Sequence, residues 1–314
     1  MYSVLLVTLT LLGVFDAVVP DSSESVYDIE LSELCSFLKG LYRELGPGYG
    51  CVVESPVVEN STCYTSTNMF TSHVLRNLCS DSDLALRIEK FLSIYRTDFY
   101  DYYQVLLDMP IELPFKAVTH VVVANVSGVV VKHVKVTNST MHDYDEYANL
   151  VAIKAIYYAR MGDEERAREE LRKLSKMFDG VGFKDKAFNG LYETYKLTLA
   201  AIAYRALGDV EEAEKYIEII KRVKPLTTLY TRNLTGVGDL NTETASLVII
   251  ALYSNNPIQT VRESTTAETM SIQKLIALVL LIVVTILLLL TKQFKRWGSI
   301  AGLFLTTNRG DAGF

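Results

Sequence analysis

The sequence predicts a mainly helical chain of repeated α-hairpins, interrupted by one β-hairpin and followed by a C-terminal transmembrane helix. Three observations carry that expectation. Residues 146–163, EYANLVAIKAIYYARMGD, have a counterpart 46 positions later that ends on Gly208-Asp209. Residues 115–140 are dense in β-branched side chains around a single turn signal. Residues 275–290 are apolar apart from Thr285.

From the N-terminus, residues 2–15 form an apolar run of signal-peptide length, followed by Asp16-Ala17-Val18 and a polar PDSSES stretch. The expectation is a signal peptide over residues 1–19, with the cut near Ala17 or Val19. No Lys or Arg precedes the run, so an uncleaved anchor stays open as the second reading. Near the other end, Ile272 extends the apolar run toward the roughly 20 residues that span a bilayer. Lys292, Lys295, Arg296 and Trp297 follow at once, which places the C-terminus inside by the positive-inside rule. The expected order is therefore an extracellular domain over 20–255, a Ser/Thr-rich stalk over 256–271, a membrane helix over 272–291 and a cytoplasmic tail over 292–314. That is a single-pass, type I cell-membrane protein, in keeping with a mean hydropathy of +0.19.

The exterior segment carries its own signals. Sequons for N-glycosylation begin at Asn60, Asn125, Asn138 and Asn233, and the tail has none. Four cysteines, Cys35, Cys51, Cys63 and Cys79, lie in the same exterior segment. In an oxidising compartment they point to two disulfides with three possible connectivities. Loop length favours Cys51–Cys63 with Cys35–Cys79, and the absence of any C-x2-4-C pair argues against zinc. With 22% charged residues and a net charge of −6, no concentrated basic face calls for nucleic acid. Only four Gln residues, beside abundant Tyr, Glu, Lys, Ile and Val, point to a thermophilic and archaeal source.

The repeat is read by aligning the two Gly-Asp turns. Ala155 falls on Ala201, Ile156 on Ile202 and Tyr158 on Tyr204. Each copy continues from an Asp N-cap into an acidic first turn, with Ala167 or Ala213 after it. Each is thus a helix, a turn and a more charged second helix, repeated at a period that marks stacked hairpins. Residues 64–81 with 84–96, and residues 240–256, read as fainter copies, the latter aligning Glu243-Thr244 on Glu193-Thr194. Between the first and second copies, residues 115–136 read as an inserted β-hairpin turning at Asn125-Val126-Ser127-Gly128. Its near-continuous apolar run predicts that both faces are covered.

Glycine-aromatic stretches precede three of the apolar helices: Gly48-Tyr49-Gly50, residues 178–183 (FDGVGF) and residues 230–239 (YTRNLTGVGD). Such a loop, then polar residues, then an apolar helix ending in Gly-Asp resembles the α/α-toroid repeat of protein prenyltransferase β-subunits, terpene cyclases and complement-type thioester domains. The resemblance covers residues 48–96 and 141–255, and it implies a partial toroid with the apolar helices inside. A tetratricopeptide hairpin is the rival, since Tyr204, Gly208, Ala213 and Pro225 sit at fitting positions. The period of 46 departs from the roughly 34 residues of that repeat.

None of the chemistries of the resembling families transfers. There is no Asp-x-Asp-Asp, and Gly50-Cys51 continues as VVES rather than as a thioester motif. The histidines show no paired-ligand spacing; His120 and His133 could face each other across the hairpin, but ordinary strand positions are the favoured reading. No cofactor or metal is expected. What remains is a set of polar residues where the apolar helices begin. Glu146, Asp185, Glu193, Thr194, Asp239 and Glu243 are the candidate ligand-binding residues, with Thr65, Asn189, Asn241 and Thr244 beside them. Carboxylates gathered there at about 5–10 Å could cleave glycosides, whereas capping of helix N-termini is the simpler use for the same residues.

The functional expectation is a glycosylated cell-surface protein that binds an envelope protein, peptide or glycan without catalysis. An envelope polysaccharide hydrolase or lyase is the alternative. A structural, self-assembling component of a surface layer or filament is the third reading.

Overall fold

The computed structural model describes residues 29–57 and 61–254. The expected signal peptide, stalk, membrane helix and tail lie outside the described residues, as does Asn60. Among the described residues no helix is long and apolar enough to cross a membrane. The expectation of a mainly helical, partial toroid with one inserted hairpin is corrected here. About half of the described chain is helical, strands build three separate sheets, and nothing identifies a toroid repeat. The difference arises at the glycine-aromatic stretches. Residues 48–50 and 230–239 contribute to strands of two to four residues, too brief to show a period-two pattern in sequence, and residues 178–183 form a turn closed by one bridge between Phe178 and Phe183.

The helical hairpins form where their turn chemistry demands. Helices α2 (Thr65–Asn77) and α3 (Ser82–Ile94), α4 (Ala148–Arg160) and α5 (Glu164–Met177), and α6 (Thr194–Ala206) and α7 (Val210–Arg222) make three such pairs. Each first helix ends on a left-handed residue: Ser80 at φ 54°, Gly162 at φ 75° and Gly208 at φ 76°. An aspartate then opens the second helix. The Asp81, Asp163 and Asp209 carboxylates accept from the N–H groups of Leu84, Arg166 and Glu212 at 3.1, 3.2 and 3.4 Å. Helices α5 and α7 bury one stripe, including Ala167, Leu171 and Leu174, or Ala213, Ile217 and Ile220. Helix α6 and the last helix, α8 (Thr242–Tyr253), are buried nearly all round. Helices α2, α8, α6 and α4 pack side by side in that order, and a 3-10 segment, Tyr102–Leu107, packs against both α4 and α2.

The remaining elements frame these helices. Helix α1 (Leu31–Gly40) leads into an antiparallel hairpin of β1 (Tyr42–Gly46) and β2 (Tyr49–Val52). Disulfides Cys35–Cys79 and Cys51–Cys63 tie this region to α2 and its approach. They point to an extracellular or secreted protein. Strand β3 (Thr62–Tyr64) pairs in parallel with β5 (Val129–Thr140), which pairs antiparallel with β4 (Lys116–Val126) through a turn of two left-handed residues, Ser127 and Gly128. The third sheet joins β6 (Tyr192–Glu193), β7 (Leu229–Tyr230) and β8 (Gly236–Val237).

Two expectations about the β4–β5 hairpin are corrected. Its strands run beyond residue 136, and both faces are only partly covered, with no residue of β4 fully buried. Val129, Val131 and Val134 are buried, while Val118, Val122 and Val123 on the edge strand β4 are exposed. The run of valines serves an outer strand whose hydrophobic side chains are not all enclosed, so continuity of apolar residues misleads here. His120 is opposite Val134, and His133 is opposite Val121, so the two imidazoles point to opposite faces of the sheet. Asn125, Asn138 and Asn233 are exposed, as acceptors for glycans must be.

Candidate functional site

The beginnings of the inner helices, the loop after β2 and the 3-10 segment bring a group of acids and tyrosines together. Thr194 and Thr242 each start a helix with a fully buried hydroxyl. These donate to the carbonyls of Thr227 and Val53, both at 2.6 Å. The residue after each threonine, Tyr195 or Glu243, therefore occupies the same place in its helix. The two Glu-Thr doublets aligned in sequence are out of step in the fold: Glu243 corresponds to Tyr195, and Glu193 precedes its helix.

Glu54 enters from the loop after β2. Its backbone carbonyl accepts the Thr242 N–H at 2.9 Å, and its side chain takes the N–H of Glu243 and meets Thr67 of α2. Asp101 and Tyr103 enter from the 3-10 segment. The Tyr103 hydroxyl reaches both the Glu243 carboxyl and Asn149 of α4. Glu54, Asp101 and Glu243 lie deep among protein atoms, yet each residue keeps some accessible surface. We call this enclosed group of acids and tyrosines the acidic chamber.

Burial dominates its electrostatics. It pushes the Glu54 carboxyl up to about 7, against the hydrogen bonds from Thr67 and the Glu243 N–H. It pushes Asp101 up to about 6, against its bond from the Tyr102 N–H. Glu243 rises well above the usual carboxylate range through burial first and the nearby Glu54 and Asp101 charges second. The Tyr103 and Tyr195 hydroxyls are raised by burial and by the surrounding acids. At neutral pH the chamber thus holds a protonated Glu243, a Glu54 close to the middle of its titration and a largely ionised Asp101, beside neutral phenols.

A charged cluster stands beside it. The Lys196 ammonium, almost fully buried, lies 2.7 Å from the enclosed Asp185 carboxylate and also pairs with Glu193. Asp185 additionally accepts the first N–H of α4, at Ala148, at 2.9 Å. It thus caps a helix from outside that helix's own segment.

Of the residues singled out in sequence, Glu243 lines the chamber, and Glu193 and Asp185 stand close enough to affect it. Thr194 is buried with its hydroxyl committed to Thr227. Glu146 lies outside: its exposed side chain pairs with Lys186 at 3.0 Å. Asp239 is also exposed, and its backbone carbonyl accepts from Thr228. Sequence reasoning missed Glu54, Asp101, Tyr103, Tyr195 and Lys196. A signal existed for Glu54, which lies three residues after Cys51 inside a short disulfide loop. None existed for Asp101, in a segment without periodicity.

Chemically, the chamber can donate and accept hydrogen bonds, take up a cation or transfer a proton. Among the described residues no three His, Cys, Asp or Glu side chains are grouped as metal ligands. Comparison with protein-family models, curated proteins and solved structures gives no match.

Proposed function

We propose that this is a membrane-anchored, glycosylated surface protein whose acidic chamber receives a polar group of an envelope protein, peptide or glycan and performs no chemistry on it. The observation that carries this reading is the side-by-side placement of Glu54 and Glu243. Glycosidase carboxylates flank the bond they cleave, about 5–10 Å apart. Here the Glu54 carboxyl rests on the backbone N–H of Glu243 itself, and Tyr103 and Thr67 hold the two acids further. Such a pair suits recognition better than attack from two sides. The test is binding of the full-length protein to arrays of envelope peptides and oligosaccharides. Saturable binding that Glu243→Gln abolishes, without loss of the near-ultraviolet circular dichroism of the fold, is the expected result.

A polysaccharide hydrolase is the second reading, favoured by one observation. Two adjacent buried carboxyls, both raised above the usual carboxylate range, can share one proton and so supply an acid and a base together. Release of reducing ends from envelope polysaccharide, lost in Glu243→Gln, would replace the binding reading with this one. Self-assembly is the third reading, favoured by the open edge of β4. A concentration-dependent oligomer that Val122→Lys dissolves would support it.

A further inference from the structure

We propose that the group received by the acidic chamber is a cation, the ammonium or guanidinium of a basic side chain on an envelope protein or peptide. The inference rests on the reading of the chamber as a binding site and names the chemistry of its ligand.

Charge balance is the first argument. The Lys196 ammonium stands beside the chamber, and it is already shared by Asp185 and Glu193. Glu54, Asp101 and Glu243 have no lysine, arginine or histidine as an ion-pair partner among the described residues, and Glu193 adds to the negative field at Glu243. Nothing within the site compensates three clustered acids once they ionise.

Unused hydrogen-bonding capacity is the second and independent argument. Glu54 Oε2 is buried with no hydrogen-bond partner, although the rest of that carboxyl is anchored by Thr67 and the Glu243 N–H. Buried acceptors in folded proteins almost always find a donor. An ammonium or guanidinium brings several donors, and its charge favours the ionised form of every acid around it. A neutral sugar brings donors without charge.

The pair of tyrosines is the third. Tyr103 and Tyr195 bring their hydroxyl oxygens to the same acids, and such oxygens accept hydrogen bonds from a cation's N–H groups. Together these features describe a socket for one basic side chain. Its occupation displaces protons from the carboxyl groups into solvent.

Isothermal titration calorimetry on the full-length protein tests this. The probes are N-acetyl-lysine methylamide and N-acetyl-arginine methylamide, with N-acetyl-norleucine methylamide and a neutral oligosaccharide as uncharged controls. At pH 8 one or both cationic probes bind, and at pH 5 they bind at least tenfold more weakly. The heat varies with the ionisation enthalpy of the buffer, because protons are released. Glu54→Gln and Glu243→Gln each reduce affinity at least tenfold, and Glu146→Gln, outside the chamber, leaves it unchanged. Equal binding of the norleucine control, or binding of the oligosaccharide with no preference for high pH, overturns the cation assignment and keeps the binding site. Absence of binding by every probe at both pH values overturns the cation assignment and counts against the binding reading as well.

Discussion

Two buried acid sites in this molecule are built on opposite plans. On α5, Glu170 is 3% exposed, and its Oε1 lies 3.1 Å from both Lys154 and Lys173. Burial pulls the Lys154 ammonium down, yet its contacts with Tyr144 and Glu170 hold it above its usual range. Two cations therefore neutralise one enclosed carboxylate. In the acidic chamber three carboxyls share no cation of their own, and burial raises all three above the usual carboxylate range. One Glu170 oxygen also lacks a hydrogen bond, so an orphan oxygen alone does not separate the sites. The difference is charge: a site compensated from within stabilises the fold, and one left uncompensated is disposed to receive something.

The largest test of that contrast is Glu170→Gln. It leaves Lys154 and Lys173 without their shared counterion, and the loss of one partner from a buried pair costs about 3–5 kcal/mol. Denaturant unfolding at pH 7 should show a loss of that order. A loss below about 1 kcal/mol would mean that the lysines are solvated and that the two sites do not differ in charge compensation.

The next effect has the opposite sign. Glu54 titrates at about 7 in the folded chain against an ordinary value of 4.5. The folded state thus holds a proton that the unfolded chain has already released. Its contribution to stability is full below about pH 4.5 and is lost as pH rises through 7. At about 1.4 kcal/mol for each pH unit, the loss is about 3 kcal/mol. Glu54→Gln should flatten that dependence and make the protein more stable than the parent at pH 8, while the two match near pH 4.5. Parent stability that instead rises from pH 5 to pH 8 would break the comparison, because the chamber acids would then be ionised and satisfied.

Lys196 sharpens the contrast from between the two plans. Lys196→Met strips the enclosed Asp185 of its cation but leaves it the N–H groups of Ala148 and Ala187. We expect a cost of about 2 kcal/mol, smaller than at Glu170 because those N–H donors remain. Thermal unfolding at pH 7 reads it. A gain in stability would place Lys196 among the misfits instead.

How much of this was legible in the sequence follows from the range of each signal. Gly162-Asp163 and Gly208-Asp209 announced their turns because a left-handed residue and an N-cap are local requirements. Ser80 adopts the same conformation with less help from its type, so that hairpin was fainter. The disulfide pairs agree with the connectivity that loop length favoured. The candidate site was legible in part: Glu243 lines the chamber and Glu193 and Asp185 adjoin it, whereas Glu146 and Asp239 face solvent. Glu54 and Asp101 come from outside the helical pattern, and their neighbours are set by tertiary packing that no local period encodes. Tyr195 was hidden by a two-residue slip in the alignment of the Glu-Thr doublets, which similarity of letters favours and helix geometry rejects.

The Cys51–Cys63 bond closes a loop, and Glu54 rides on that loop. Three hydrogen bonds pin the same stretch: Glu54 N–H to the Thr62 carbonyl at 2.8 Å, and the Thr242 N–H and hydroxyl to the carbonyls of Glu54 and Val53. Half of the acid pair is therefore mounted on a clasp that only an oxidising compartment can fasten. A chain held reduced keeps Glu243 on its helix but loses the covalent hold on Glu54. The address to which the protein is delivered thus doubles as the last step of its assembly.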